Sequence, residues 1–171
     1  VDHAVGSSVP RIADHPRASV ARTLELAAAV EELGGECSMG AAAARLGAKP
    51  GGTFGALVST AAKYGWVSVR RGRVRTEGRY RDYRTAGDEA QRRATLLEAM
   101  RAAPLFRRLL DRFAGRSVPT DHLPKLLARE FDVPESAAAR VAGYFLEAAR
   151  AAGALEGDRL RGSVVTASNA P

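Results

Sequence analysis

Between Trp66 and Arg84 the chain reads WVSVRRGRVRTEGRYRDYR. Val67 and Val69 alternate with Ser68 and Arg70, Gly72 interrupts, and Arg73, Val74 and Arg75 resume the alternation. Alternation about a glycine is a β-hairpin signal, because successive strand residues point to opposite faces. With Arg71-Gly72 as a two-residue loop, Arg70 pairs with Arg73, Val69 with Val74 and Ser68 with Arg75. Val67, Val69, Val74 and Thr76 then share an apolar face, and Ser68, Arg70, Arg73 and Arg75 share the other. Such a loop asks Arg71 to adopt a positive φ, which Arg disfavours. A three-residue loop, Arg70 to Gly72, avoids this but pairs Val69 with Arg73 and mixes the faces. The segregated register is preferred.

The same stretch holds most of the charge imbalance. Residues 1–69 carry six basic and six acidic side chains. Residues 70–84 carry seven Arg against Glu77 and Asp82, and residues 85–171 carry thirteen basic against eleven acidic, giving the net +7. Concentrated positive charge is the footprint of a nucleic-acid surface. A solvated edge that keeps the hairpin from pairing with other strands explains it equally well for a hairpin taken alone.

Upstream of the hairpin, residues 1–17 contain Pro10 and Pro16 and no period, which reads as a tail ordered only where something holds it. Helical spacing predicts a helix over Ala18–Leu33, stopped by Gly34-Gly35. Ser38 suits the N-cap of a short helix from Met39 to Leu46. Pro50-Gly51-Gly52 makes a turn. A third helix over Thr53–Tyr64 has Phe54, Leu57, Val58 and Ala61 as its apolar face, and Gly65 stops it.

Three helices, the second short, with the third running through YGWVSV into RRGRVR, resemble a winged helix-turn-helix over roughly residues 20–77. The resemblance is carried by Leu46-Gly47, the Phe54 to Ala61 face and the hairpin. It implies that the third helix reads DNA and that the hairpin is the wing.

Farther along, Arg79-Tyr80-Arg81-Asp82-Tyr83-Arg84 interleaves basic and aromatic residues, which either stack on single-stranded bases or pack Tyr80 and Tyr83 on a neighbouring helix. The packing reading is favoured. Helices are predicted over Asp88–Ala103 and Leu105–Ala114. Another short one ends at Phe131 and is capped by Thr120 or Asp121. A long one, running to Ala152, is opened by Asp132-Val-Pro-Glu135 at capping-box spacing. ALEGDRLRG, with a turn at Gly157-Asp158, is a second hairpin candidate.

This half repeats the first. AAGALEGDRLRG stands where KYGWVSVRRGRV stands, and AREFDVP where ARLGAKP stands. The offset is 84 at Pro50 and Pro134 and 88 at Gly65 and Gly153, so the second long helix has about one extra turn. The fold class expected is mainly α with short β-hairpins, as two winged-helix-like units in tandem. Residues 1–17 form a tail, 18–84 the first unit, 85–161 the second, and 162–171 a polar tail. Tandem winged helices occur in transcription factors and also in protein assemblies where neither copy touches DNA, so the resemblance implies architecture more firmly than activity.

The chain is rich in Ala and Arg, as in a high-GC bacterial genome, and Cys37 is its single cysteine, which excludes an intrachain disulfide and suits a reducing cytoplasm. It opens on Val1, as a fragment or processed chain would. No apolar run reaches the roughly 18 residues of a membrane span. His3, His15 and His122 read as surface or tail residues, not as metal ligands. Pro50-Gly51-Gly52-Thr53 opens a helix but lacks the Gly-Lys-Ser/Thr of a nucleotide loop. No cofactor motif and no catalytic constellation stand out. The expectation is a cytoplasmic, non-enzymatic, double-stranded-DNA-binding protein, a transcription regulator. Thr53, Ser59, Thr60 and Lys63 on the third helix would face the major groove. Arg70, Arg71, Arg73 and Arg75 on the wing, with Arg79 and Arg81, would hold phosphates or a minor groove beside it. The alternative is an adaptor whose second unit forms a homodimer or docks a protein partner, since that unit shows Tyr144, Glu147 and Arg150 on its long helix and Glu156 and Asp158 on a short wing.

Overall fold

The computed structural model describes residues 14–162, which fold mainly as helices with small antiparallel sheets. Helix α1 (Val20–Glu32) begins where the Ser19 hydroxyl accepts from the Arg22 N–H at 3.1 Å. Strand β1 (Glu36–Ser38) follows a pair of left-handed glycines, Gly34 and Gly35. Ser38 caps α2 (Met39–Arg45), accepting from the Ala41 N–H at 3.1 Å, as the sequence predicts. Helix α3 (Gly52–Lys63) buries Phe54, Leu57, Val58 and Ala61 against the core.

The hairpin β2 (Val67–Arg70) and β3 (Arg73–Thr76) has the segregated register, Val69 opposite Val74 and Arg70 opposite Arg73. Its loop places Arg71 at φ 51° and Gly72 at φ 75°, the two positive angles of a type I′ turn. Strand β1, three residues long, is too short to show a period and was not foreseen. It pairs with β3, giving the order β1-β3-β2 and setting Cys37 opposite Val74. Val67 and Val74 are buried, but Val69 is 46% exposed. The expected four-residue apolar face is therefore incomplete, because β2 is the free edge and Val69 sits beside the turn.

Helix α4 (Gly78–Arg84) continues from the hairpin. Tyr80 is buried and the Tyr83 ring lies 5.7 Å from Trp66, so these aromatics pack. Then come α5 (Glu89–Ala102), α6 (Pro104–Phe113), α7 (Leu123–Glu130), α8 (Glu135–Ala151) and a hairpin of β4 (Leu155–Glu156) and β5 (Arg159–Leu160). Two caps differ from expectation. Neither Thr120 nor Asp121 caps α7, which starts after His122 with Pro124 in its first turn, where the N–H that proline lacks would have no intrahelical partner. Asp132 is not an N-cap. It takes φ 57° at the end of α7, where the Val133 N–H returns to the Leu127 carbonyl at 3.2 Å, and α8 starts after Pro134.

The repeat extends to individual hydrogen bonds. At the end of α3, Gly65 is left-handed and the Trp66 N–H reaches the Ala61 carbonyl at 3.0 Å. At the end of α8, Gly153 is left-handed and the Ala154 N–H reaches the Ala149 carbonyl at 2.8 Å. These are equivalent Schellman turns. Glu77 then donates to the Trp66 carbonyl and Arg161 to the Ala154 carbonyl, closing each hairpin at its base. Ser117 bridges to Arg159 on the side of β5 away from β4, as β1 does to β3. Both halves thus follow the order helix, helix, helix, hairpin, with a strand after the first helix in the first half and an isolated bridge at Ser117 in that place in the second. Among the described residues α5 has no counterpart in the first half; it packs on α4, α6 and α8.

One core spans both halves. Its spine is aromatic: Tyr64 lies 6.1 Å from Phe106, which lies 5.3 Å from Phe145, and none of the three is exposed. At the offset of 88, Phe54 and Leu57 match the buried Ala142 and Phe145, but the match to Val58, Leu146, is only half-buried. The second hairpin, with two residues per strand, has less to lay over that helix. Phe145→Ala is expected to cost about 3–5 kcal/mol in chemical denaturation, as a large cavity at the junction of two packed halves should. A loss under about 1 kcal/mol would mean that the spine is not core.

Candidate nucleic-acid interface

Strand alternation and the type I′ turn put Arg70, Arg71, Arg73 and Arg75 on the outward side of the hairpin, all exposed. With Ser68 and Val69 they line a groove of about 500 Å³. Two carboxylates share it. Glu36, brought in by β1, accepts from Arg73 Nε at 2.9 Å, and Glu77 lies 3.7 Å from Arg75 Nε and also accepts from the Ser68 hydroxyl. The face is therefore not all guanidinium, and the groove's charge is +2 rather than +4. Glu36 was invisible in this role without β1. Both pairs are exposed, where an ion pair is worth about 0–1 kcal/mol, so a phosphate can displace either. Arg70 and Arg71 form no ion pair with the described residues.

Arg79 and Arg81 are committed to the backbone. Arg79 donates to the Tyr64 carbonyl at 2.8 Å, finishing the end of α3, and Arg81 donates to the Thr76 carbonyl at 3.2 Å. A Cβ at Gly65 would overlap the Arg79 guanidinium, which covers that turn. Their placement is structural.

On α3 the expected groove-facing residues separate. Thr53 and Ser59 are exposed. Thr60 is buried: its hydroxyl donates to the Ala56 carbonyl at 2.8 Å and accepts from the Arg17 N–H at 3.0 Å, so it cannot meet a base. Lys63 is half-buried and its Nζ pairs with Asp14 at 2.8 Å. Residues 14–17, read from sequence as tail, are held here, with His15 and Pro16 buried. Helix α8 flanks the same side of α3. Burial first, then nearby Tyr144 and Glu147, push the Tyr64 hydroxyl well above its ordinary range. What stays open on α3 is a strip of Gly52, Ser59 and Ala62 beside Thr53, which offers hydroxyls and backbone but no cation.

Cys37 is buried in β1, and desolvation raises its thiol against the opposing pull of Arg73. That environment disfavours the thiolate a nucleophile requires. No family model, curated protein or solved structure matches the chain. Among the described residues, no helix is long and apolar enough to cross a membrane.

Arg71 occupies a backbone conformation that costs an L-residue roughly 1–2 kcal/mol. Asn tolerates it and precedes Gly in the best type I′ turns. Arg71→Asn is expected to raise stability by roughly 0.5–1 kcal/mol in urea denaturation while removing a cation from the groove. A lower denaturation midpoint would show that the Arg71 side chain makes contacts that outweigh its strain.

Proposed function

We propose that this chain is a tandem winged-helix protein that binds duplex DNA without catalysing a reaction, as a bacterial cytoplasmic transcription regulator would. The observation that carries the reading is the hairpin: four exposed arginines on one side of a two-stranded arm that leaves α3 directly at Gly65. The repeated order of three helices and a hairpin, with β1 in the first half and the Ser117 bridge in its place in the second, supports the winged-helix part. Affinity would come mainly from phosphate contacts by Arg70, Arg71, Arg73 and Arg75. Thr53 and Ser59 are the residues left to touch base edges, and neither makes the bidentate contacts that discriminate strongly. Sequence preference should be weak.

A second reading, an adaptor that binds protein, is favoured by one specific observation. The Thr60 and Lys63 side of α3 is occupied by residues 14–17 and flanked by α8, as a helix that does not read DNA would permit. Tyr144, Glu147 and Arg150 of the second unit would serve that role through a homodimer or another partner.

Salt dependence separates the two. Each arginine that neutralises a phosphate releases counterions, so the logarithm of the binding constant falls with the logarithm of salt by about 0.9 per contact. Replacing Arg70, Arg73 and Arg75 together by Ala should lower that slope by up to about 3 and weaken binding to all duplexes alike. Fluorescence anisotropy with random duplex DNA at several salt concentrations measures it. An unchanged slope in a folded triple variant would remove the hairpin from any DNA interface and leave the adaptor.

A further inference from the structure

At the start of α3, two hollows of about 650 and 480 Å³ meet at Arg17, Gly52, Thr53 and Tyr144. Each lies within the roughly 300–1,000 Å³ of small-molecule sites. The first is walled by the starts of α1 and α3, the second by the starts of α3 and α8. Among the described residues their lining carries four cations, Arg17, Arg22, Lys49 and Arg140, and no carboxylate. Only Arg22 has an ion pair among the described residues, an exposed one to Glu25 at 3.3 Å. The hairpin groove, by comparison, sets two carboxylates against its four arginines.

Two further features point the same way. The N–H groups of Gly52, Thr53 and Phe54 donate to no described residue, and no side chain caps this end of α3. Gly52 itself is not demanded by the fold, since it has no positive φ and a Cβ there would meet nothing within 4 Å. A bare glycine in open space leaves backbone donors accessible from a cationic cleft. Tyr144, half-buried, belongs to both hollows, while Phe54 lines only the first and His15 only the second.

We propose that this cleft binds a small phosphate ester with a flat organic body, of the size of a nucleotide. Arg17 and Lys49, with the start of α3, would take the phosphate, and Tyr144 the flat body. Sequence reading set Pro50-Gly51-Gly52 aside because it lacks the lysine of a nucleotide loop. The fold supplies the missing cations from Arg17, Arg22 and Arg140, distant in sequence. The inference does not depend on DNA binding, and no arginine of the hairpin lines the cleft.

The test is isothermal titration calorimetry of the whole chain at about 0.15 M salt, near physiological screening, with adenosine diphosphate, pyrophosphate and adenosine as probes. Adenosine diphosphate should saturate one site per chain, pyrophosphate should bind more weakly, and adenosine should give no heat of binding. Arg17→Ala with Lys49→Ala should weaken adenosine diphosphate at least tenfold, roughly one charge-assisted contact. Both side chains are exposed, so the variant should melt as wild type does. Arg107→Ala with Arg161→Ala removes the same charge elsewhere and should change affinity less than about twofold, since screened distant charges contribute little. Heats that never saturate, or an equal loss in the two pairs, would overturn the proposal as diffuse charge attraction. So would a duplex that displaces adenosine diphosphate and itself loses affinity in the Arg17/Lys49 variant, because the cleft would then belong to a nucleic-acid surface.

Discussion

The left-handed turn at Gly65 fixes the geometry on which everything at the hairpin depends. A helix that ends in a Schellman turn leaves its axis within one residue, and the next residue, Trp66, is already buried beneath the chain's first hairpin. No linker separates α3 from β2, so the arginines have a set position relative to that helix. Arg79 locks the arrangement from above by donating to the Tyr64 carbonyl. The second half uses the same device at Gly153, with the Arg93 side chain over the glycine in place of Arg79. The two halves then share one core because Tyr64, the last residue before the first turn, meets Phe106 and, through it, Phe145.

Much of this was legible because the signals were local. Period-2 alternation gave the hairpin and its register, Ser38 stands where a cap belongs, and ALEGDRLRG with its turn at Gly157-Asp158 marked the second hairpin. The errors have a common origin in contacts between residues distant in sequence. Strand β1 is too short to carry a pattern and exists through its pairing with β3. Its Glu36 then alters the charge of a face read as Ser68 with three arginines. Asp132 has the spacing of a cap, but the preceding helix claims it for its own termination. Thr60 looks exposed on a helical wheel drawn for α3 alone, and it is buried because residues 14–17 return to it.

That return decides what α3 can do. The polar ties are modest: a hydrogen bond from Arg17 to Thr60 contributes about 1 kcal/mol, and the partly exposed pair of Asp14 and Lys63 no more. Burial of His15 and Pro16 adds apolar contact. The side of the helix richest in groups able to hydrogen-bond a base is the side already engaged. The open strip has two hydroxyls and small residues. A helix so presented can approach a backbone closely, but it has little with which to distinguish one base pair from another. Any affinity for duplex DNA must then come from the hairpin, where Arg70 and Arg71 have no ion pair among the described residues and Arg73 and Arg75 must first release Glu36 and Glu77. Those releases cost little at the surface, so the carboxylates lower the strength of phosphate binding without forbidding it. Each carboxylate set free also regains a cation from solution, which offsets part of the release from the DNA. A salt slope smaller than four full phosphate contacts would give is therefore the natural signature of this hairpin, even when all four arginines touch DNA.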